Sequence, residues 1–346
     1  MASEPDLEDE GPNVNPRLAD YKSRAWRIDQ ESRRNYLLEE QKRRREETFN
    51  SFRDFSDIFN NDDDDEDTFG EDMDFEEIRD VQEKPKFPKL RDLFMLSEWM
   101  TELPIDFQDN WILKMCPVGK RCLVRSCKGS TTVYGKRGYQ MARFRSALPN
   151  GGHPESYGAK YSRSDLTVLD CIWSGALQKY FILDVLYWRS QSYLDTDVKF
   201  RSFWIASKLE ETPSLSEKSG KNPFPFEPLT EHACDVDAIS RVLSRYPYFD
   251  SDRPQVDGLL FYHKEGYYAP GTTPLVLWLK PYMLNEMLGE NVHIAKEYQQ
   301  MRPSSYTNMY DFISNYEEAR KQKFKKRKPK GTERMEVCAA DVDDGF

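Results

Sequence analysis

The sequence predicts an α+β protein, largely antiparallel β-sheets with flanking helices, preceded by an N-terminal helical arm. Three observations predict it. Short runs rich in β-branched and aromatic residues alternate with turn signals from Leu93 to about Leu288, as in WILKMCPVGKRCLVRS, DLTVLDCIW, QKYFILDVLYW, FRSFWIAS and VDGLLFYHK. Six of the seven tryptophans lie between Trp99 and Trp278, so the folded part is expected there. Charge is segregated at the start: Asn15–Asn50 holds ten Lys/Arg and seven Asp/Glu, whereas Asp62–Asp80 holds twelve acids and one Arg.

The elements follow in order. Residues 1–14 are expected to be disordered. Residues 15–55 form the arm, with Leu18 and Tyr21 on one helical face behind Pro16. Asp29 is the expected N-cap of a longer helix running through Arg45 or beyond. That helix has no Pro or Gly, and acids come early in it and Lys42–Arg45 late, which suits the helix dipole. Its apolar stripe (Ile28, Tyr36, Leu37, Leu38) is too thin to anchor it in a core. Residues 56–87 read as an acidic disordered linker ending near Lys84-Pro-Lys-Phe-Pro-Lys89. The folded domain is expected over 88–300, and 301–346 as a charged, mostly disordered tail. Its cluster Lys321–Lys330 is compatible with a nuclear-localisation patch, a loose RNA-backbone contact or a solvated tail.

The acid tract carries −11 against a formal net charge of −10, which leaves the rest of the chain at about +1. Acidity is therefore local and does not exclude a nucleic-acid ligand. The six cysteines show no CxxC pairing and the four histidines are too few for zinc sites, so no metal or cofactor is expected. No signal-peptide core opens the chain and no run of about 18 apolar residues could cross a bilayer. A reducing, intracellular setting is the expectation.

Three segments carry the chemistry. Trp111–Arg121 (WILKMCPVGKR), Asp257-Gly-Leu-Leu-Phe-Tyr-His263 and Gly271–Pro281 (GTTPLVLWLKP) together resemble the nucleotidyltransferase family of mRNA capping enzymes and ATP-dependent ligases. That family carries Lys-x-Asp-Gly-x-Arg, Asp-Gly-Leu-Ile-Phe and Leu-Lys-Trp-Lys-Pro motifs. Covalent guanylylation needs the lysine amine of the first as nucleophile. Here Cys116 stands in its place, Val118 replaces the aspartate, and only Gly119 and Arg121 match. Aligned on Lys280-Pro281, the late motif has Trp278 where its first lysine belongs. Leu183-Asp184-Val185-Leu186 keeps the acid of a middle motif and lacks the Gly-Glu that should follow. The resemblance implies a capping-enzyme-like domain that has kept the nucleotide-binding shape and lost the transfer chemistry.

The arm resembles the importin-β-binding domain known from importin-α and snurportin. A short element (Arg17, Leu18, Tyr21, Lys22) precedes an Arg-rich helix (Arg33, Arg34, Lys42, Arg43, Arg44, Arg45). An importin-β-binding arm ahead of a disarmed capping-enzyme-like domain is similar to the snurportin family. That resemblance implies a nuclear import adaptor, not an enzyme, shuttling between nucleus and cytoplasm. Its implied partners are importin-β, small nuclear ribonucleoproteins capped with 2,2,7-trimethylguanosine, and an exportin for recycling.

It also implies the site. N7-methylation makes guanine cationic, and an indole face is the best neutral surface for it. Dimethylation of N2 removes both amino donors and favours an apolar wall over a carboxylate. By resemblance Trp278 supplies the stacking face and Trp99 packs near the N2 methyls. Ser97 and Cys116 contact the cap guanosine, and Arg121 and Lys136 meet the phosphate bridge. Trp111, Trp173, Trp188 and Trp204 are assigned to the core. Cys116 is expected as a small buried residue, and His263 as packed or exposed rather than a base. Two further readings stay open: an active nucleotidyltransferase using Lys114 or Lys120, and an importin-β cargo whose domain binds protein.

Overall fold

The computed structural model describes residues 29–47, 93–153, 165–249 and 256–327. The Arg17–Lys22 element, the acidic tract and the cluster beyond Arg327 lie outside these residues. Two sheets make up the described domain. In the first, β1 (Met95–Trp99), β12 (Gly271–Leu279), β11 (Val256–His263), β2 (Trp111–Pro117) and β10 (Glu231–Ala233) lie in that order. In the second, β5 (Gln140–Phe144), β4 (Ser130–Gly135), β3 (Lys120–Cys127), β6 (Thr167–Ser174), β7 (Lys179–Trp188) and β8 (Gln191–Ser192) follow one another, with β9 (Phe226–Pro228) paired to β7. Pairing is antiparallel except β1 with β12 and β7 with β9. The expected α+β class with largely antiparallel sheets is what the chain adopts.

The alternation of side chains along each strand distributes the core. From β3, β6 and β7, Leu123, Val168, Ile172, Phe181 and Leu183 join one apolar cluster with Leu113, Met115, Leu259 and Leu277 of the first sheet. Their neighbours Cys122, Val124, Leu169, Cys171, Trp173, Ile182 and Val185 point the other way. There they meet Ile205 and Leu209 of helix α3 (Val198–Glu211), whose N-cap Asp197 accepts from the Phe200 N–H. The second sheet is thus buried on both faces, which is why DLTVLDCIW and QKYFILDVLYW read as continuous apolar runs.

Two buried ion pairs cross-link this core. Arg121 on β3 binds Asp170 on β6 through Nε and Nη2 (3.0 and 2.7 Å), and Tyr268 donates to the same carboxylate at 2.8 Å. Arg201 of α3 grips Asp184 of β7 at 2.6 and 3.0 Å. Asp184 is the acid kept from the middle motif, and here it ties a helix to a sheet. Trp111, Trp173 and Trp188 are buried as expected. Trp204 is only partly buried against the α3 cluster. His263 is buried, bonds Asp106 at 3.2 Å and meets Trp111 edge-on. Burial pushes its pKa below the usual histidine value, with Asp106 pulling it upward.

Two described segments outside the sheets differ from expectation. The arm helix α1 (Gln30–Glu47) forms, capped as predicted: Asp29 accepts from the Ser32 N–H at 2.5 Å and the Ser32 hydroxyl at 2.9 Å. It nevertheless packs on the domain without an apolar stripe. Arg33 forms a two-pronged pair with Glu98 at 2.8 and 2.8 Å, and Gln30 donates to Glu98 and to the Trp99 carbonyl. Arg34 is 1% exposed, with its guanidinium 4.9 Å from the Trp111 ring centroid and paired to Glu31. At the other end, the stretch expected as a disordered tail from residue 301 instead carries helix α7 (Met309–Arg327). Met309 and Ile313 reach the main core, so local polarity misjudged this segment.

Candidate functional site

Four of the six residues predicted for the site stand on three of the four adjoining strands β1, β12, β11 and β2 of the first sheet. Ser97 and Trp99 lie on β1, Trp278 on β12 and Cys116 on β2, with β11 between the last two. Trp99 and Trp278 are register partners, and the Met100 N–H donates to the Trp278 carbonyl at 3.1 Å. A bulge between Ser97 and Glu98 re-aims the end of β1.

Trp278 is 5% exposed, and Gly258 accounts for where it sits. A Cβ at Gly258 would overlap the indole ring, so the glycine of Asp257-Gly258 is the seat of the tryptophan. Cys116 lies directly opposite Gly258 in the β11–β2 register. Beside it, Lys280 pairs with Asp257 at 2.6 Å and holds its ammonium 5.5 Å from the Trp278 ring.

Cys116 is fully buried, and burial pushes its thiol well above the usual cysteine range. Asp257 adds to that rise, while Arg121, Lys280 and Lys136 oppose it. The group is a neutral thiol, not a nucleophile poised for attack. The same balance brings Lys136, a half-buried residue just after β4, within electrostatic reach of Cys116.

Arg121 is a correction. Expected at a phosphate bridge, it is 6% exposed and closed on Asp170, and its Nη2 donates to the Met95 carbonyl at 2.6 Å. Burial alone would depress its pKa; Asp170 more than offsets that, and the guanidinium stays charged. It therefore straps β1 to the second sheet. Gly119 permits the crossover between the sheets, because a Cβ there would strike the Trp173 carbonyl and Ile172. The degraded first motif is thus the joint between the two layers.

The alternative nucleophiles are placed differently. Lys114 is 3% exposed, bonded to Ser202 at 3.0 Å and paired with Glu231 at 3.2 Å. Lys120 is exposed at the start of β3. Among the described residues no group of His, Cys, Asp and Glu is gathered to hold a metal. No helix there is long and apolar enough to cross a membrane. Of the arm residues, Arg33 and Arg34 touch the domain, Lys42 lies 3.4 Å from Glu265, and Arg43 and Arg44 pair with Glu40. Arg17, Leu18, Tyr21 and Lys22, and the side chain of Arg45, lie outside the described set.

Sequence reasoning missed Gly258, the Lys280–Asp257 pair and the Asp170–Tyr268 anchor. The first two lay inside quoted motifs, in Asp257-Gly258 and Leu279-Lys280-Pro281. The third had no local signal, since Tyr268 is 98 residues from Asp170.

Residues 93–281 match the family model described as the Snurportin1 m3G cap-binding domain, and residues 16–54 match the model described as Snurportin1. The chain belongs to the snurportin family. Both halves of the family's layout are present, in order, and the cap-binding match runs from Leu93, just before β1, to Pro281, just after β12. Solved structures similar to the chain include the ligase domain of M. tuberculosis LigD, with 14% identity, 53% of this chain and 57% of that chain covered, and a TM-score of 0.35. A mycobacterial DNA ligase D complexed with ATP and MES has 14% identity, 53% and 58% coverage, and a TM-score of 0.35. A Lig E DNA ligase has 11% identity, 54% and 68% coverage, and a TM-score of 0.35. The chain thus spans well under two-thirds of the two ligase D chains, and likeness at this level transfers no activity.

Proposed function

We propose that this chain is a nuclear import adaptor that binds the 2,2,7-trimethylguanosine cap of small nuclear RNAs through its domain and importin-β through its arm. The observation that supports this reading is that Ser97 and Trp99 on β1, Trp278 on β12 and Cys116 on β2 stand within one run of four adjoining strands, inside the stretch that matches the family's cap-binding domain. Trp278 stacks on the cationic base, and Trp99 faces the N2 methyls. Ser97 and the Cys116 region meet the guanosine, and Lys136 meets the phosphate bridge. Arg121 acts at one remove, holding β1 in place.

The domain performs no nucleotidyl transfer. Support comes from the neutral thiol at Cys116 and from Lys114, the buried candidate, being paired with Glu231. The arm spans residues 15–55, the acidic linker 56–87 separates it from the domain, and an exportin returns the chain to the cytoplasm. Shuttling between the two compartments follows.

The test is a tryptophan-quenching titration with trimethylguanosine and 7-methylguanosine cap dinucleotides. Tight quenching by the trimethyl cap is expected, and loss of one stacked base in Trp278→Ala should cost about 1–3 kcal/mol, or roughly fivefold to over a hundredfold in affinity. No response to either cap would leave the domain's ligand open. A covalent adduct with labelled GTP and a divalent metal would instead favour the transferase.

A further inference from the structure

We infer that helix α7 completes the cap-reading face by fixing the Trp99 ring, with Phe312 and Tyr316 as positioning residues for cap discrimination. The inference rests on the reading above, in which Trp99 faces the N2 methyls. It adds residues that lie beyond the stretch 93–281 matched by the cap-binding family model.

Trp99 ends β1, and β1 is the edge strand of its sheet among the described residues. Its side chain is only half-buried. An indole in that position keeps rotamer freedom unless something outside the sheet restrains it. Helix α7 supplies the restraint. The Phe312 ring lies 6.1 Å from that of Trp99 at 79°, and the Tyr316 ring 5.5 Å away at 78°. The two are four residues apart, so they share one helix face. Edge-to-face pairs of this kind each favour the held arrangement by roughly two- to tenfold.

The helix is itself fastened at the end that touches Trp99. Met309 is 1% and Ile313 3% exposed, both in the main core. Glu286 accepts from the Met309 N–H at 2.7 Å and from the Tyr306 hydroxyl at 2.6 Å. Tyr310 donates its hydroxyl to the Thr101 carbonyl at 3.1 Å, two residues beyond Trp99. The strand end and the helix are therefore registered to each other at the tryptophan and just beyond it.

This bears on selectivity more than on raw affinity. The trimethyl and 7-methyl caps present the same cationic base to a stacking ring and differ by two methyl groups on N2. The contrast available from two methyls is small, on the order of tenfold, and needs a wall held at contact distance. A ring free to swing would keep stacking intact at Trp278 and lose the contrast.

The experiment uses the full chain and isothermal titration with both cap dinucleotides. It compares wild type, Trp99→Ala, Phe312→Ala/Tyr316→Ala, Tyr316→Phe and Tyr310→Phe. The double variant is expected to bind the trimethyl cap about tenfold more weakly and the 7-methyl cap within about twofold of wild type. The ratio of the two affinities should fall towards that of Trp99→Ala. Tyr316→Phe keeps the ring and should keep the ratio, and Tyr310→Phe, which loses only the Thr101 bond, should lower it slightly. An unchanged ratio in the double variant, with Trp99→Ala lowering it, would overturn the inference alone. So would tighter binding, which would mean that α7 competes with the cap for Trp99. If Trp99→Ala moves neither affinity, the reading of Trp99 itself fails, and the inference with it. Should the double variant not fold, the Tyr316→Phe and Tyr310→Phe pair still decides: a change in the first without the second contradicts the role of the ring.

Discussion

Trp278 and Trp99 are register partners on neighbouring strands, yet they are held by different means. Trp278 sits on an inner strand and is seated on Gly258, with Asp257 of the same strand pair and Lys280, just past the end of β12, beside it. Trp99 sits on the edge strand. Its surroundings come from far along the chain: Gln30 at its carbonyl, Phe312 and Tyr316 at its ring, and the Arg121 strap at the start of its strand. The difference teaches that one wall of the candidate site is built into the sheet, while the other depends on whatever holds the edge.

The largest effect should come from cutting the strap. Asp170→Ala leaves Arg121 charged and buried without its carboxylate and removes a partner of Tyr268; urea unfolding should show a loss of about 3–5 kcal/mol. A loss under about 1 kcal/mol would mean that the edge strand is held by other contacts. Next comes Gly258→Ala, which forces the Trp278 ring off its seat. A cost of about 1–3 kcal/mol in unfolding free energy is expected, with cap affinity falling further than stability explains. Unimpaired cap binding in that variant would separate Trp278 from the site.

Glu98→Gln tests the edge from the arm's side. It weakens the two-pronged contact with Arg33, a pair partly open to solvent, by about 1 kcal/mol. Hydrogen exchange should speed up in α1 and leave β12 unchanged. The smallest effect is on acidity. His263 has a folded pKa below 6.5 because it is buried, so the unfolded chain binds more protons below that value. Stability from this group is therefore complete above pH 6.5 and is lost as pH falls towards the folded pKa. Asp106 adds to the loss only at more acid pH, since hydrogen bonds from Trp111, Asn110 and His263 outweigh burial and hold its pKa down. A His263→Asn variant should lose less stability than wild type between pH 7 and pH 5, as read by thermal melting.

These contrasts also explain what the sequence disclosed. Features written in neighbouring residues were legible: the Asp29 cap, the strand runs of both sheets, and the order of the three motifs. Cys116 and Trp278 stood out because each replaces a lysine in a recognisable frame. What escaped was pairing across distance. Arg121 looked like a phosphate ligand because its partner Asp170 is 49 residues away. Helix α1 looked unanchored because an apolar stripe was the criterion, whereas Arg34 docks by laying its guanidinium over the Trp111 ring. Helix α7 looked like tail for the same reason: Met309, Phe312, Ile313 and Tyr316 are sparse within a charged sequence, and only their meeting with β1 gives them weight.

The seat beneath Trp278 has a consequence for sequence change. The largest side chain in the protein alphabet and the smallest share one slot between β11 and β12, so the slot fixes their combined volume rather than either identity. A smaller residue at 278 leaves a void over Gly258, and any side chain at 258 collides with the ring. Neither position can drift alone, and a chain that abandons the tryptophan does so in tandem with position 258 or carries a hole in its sheet.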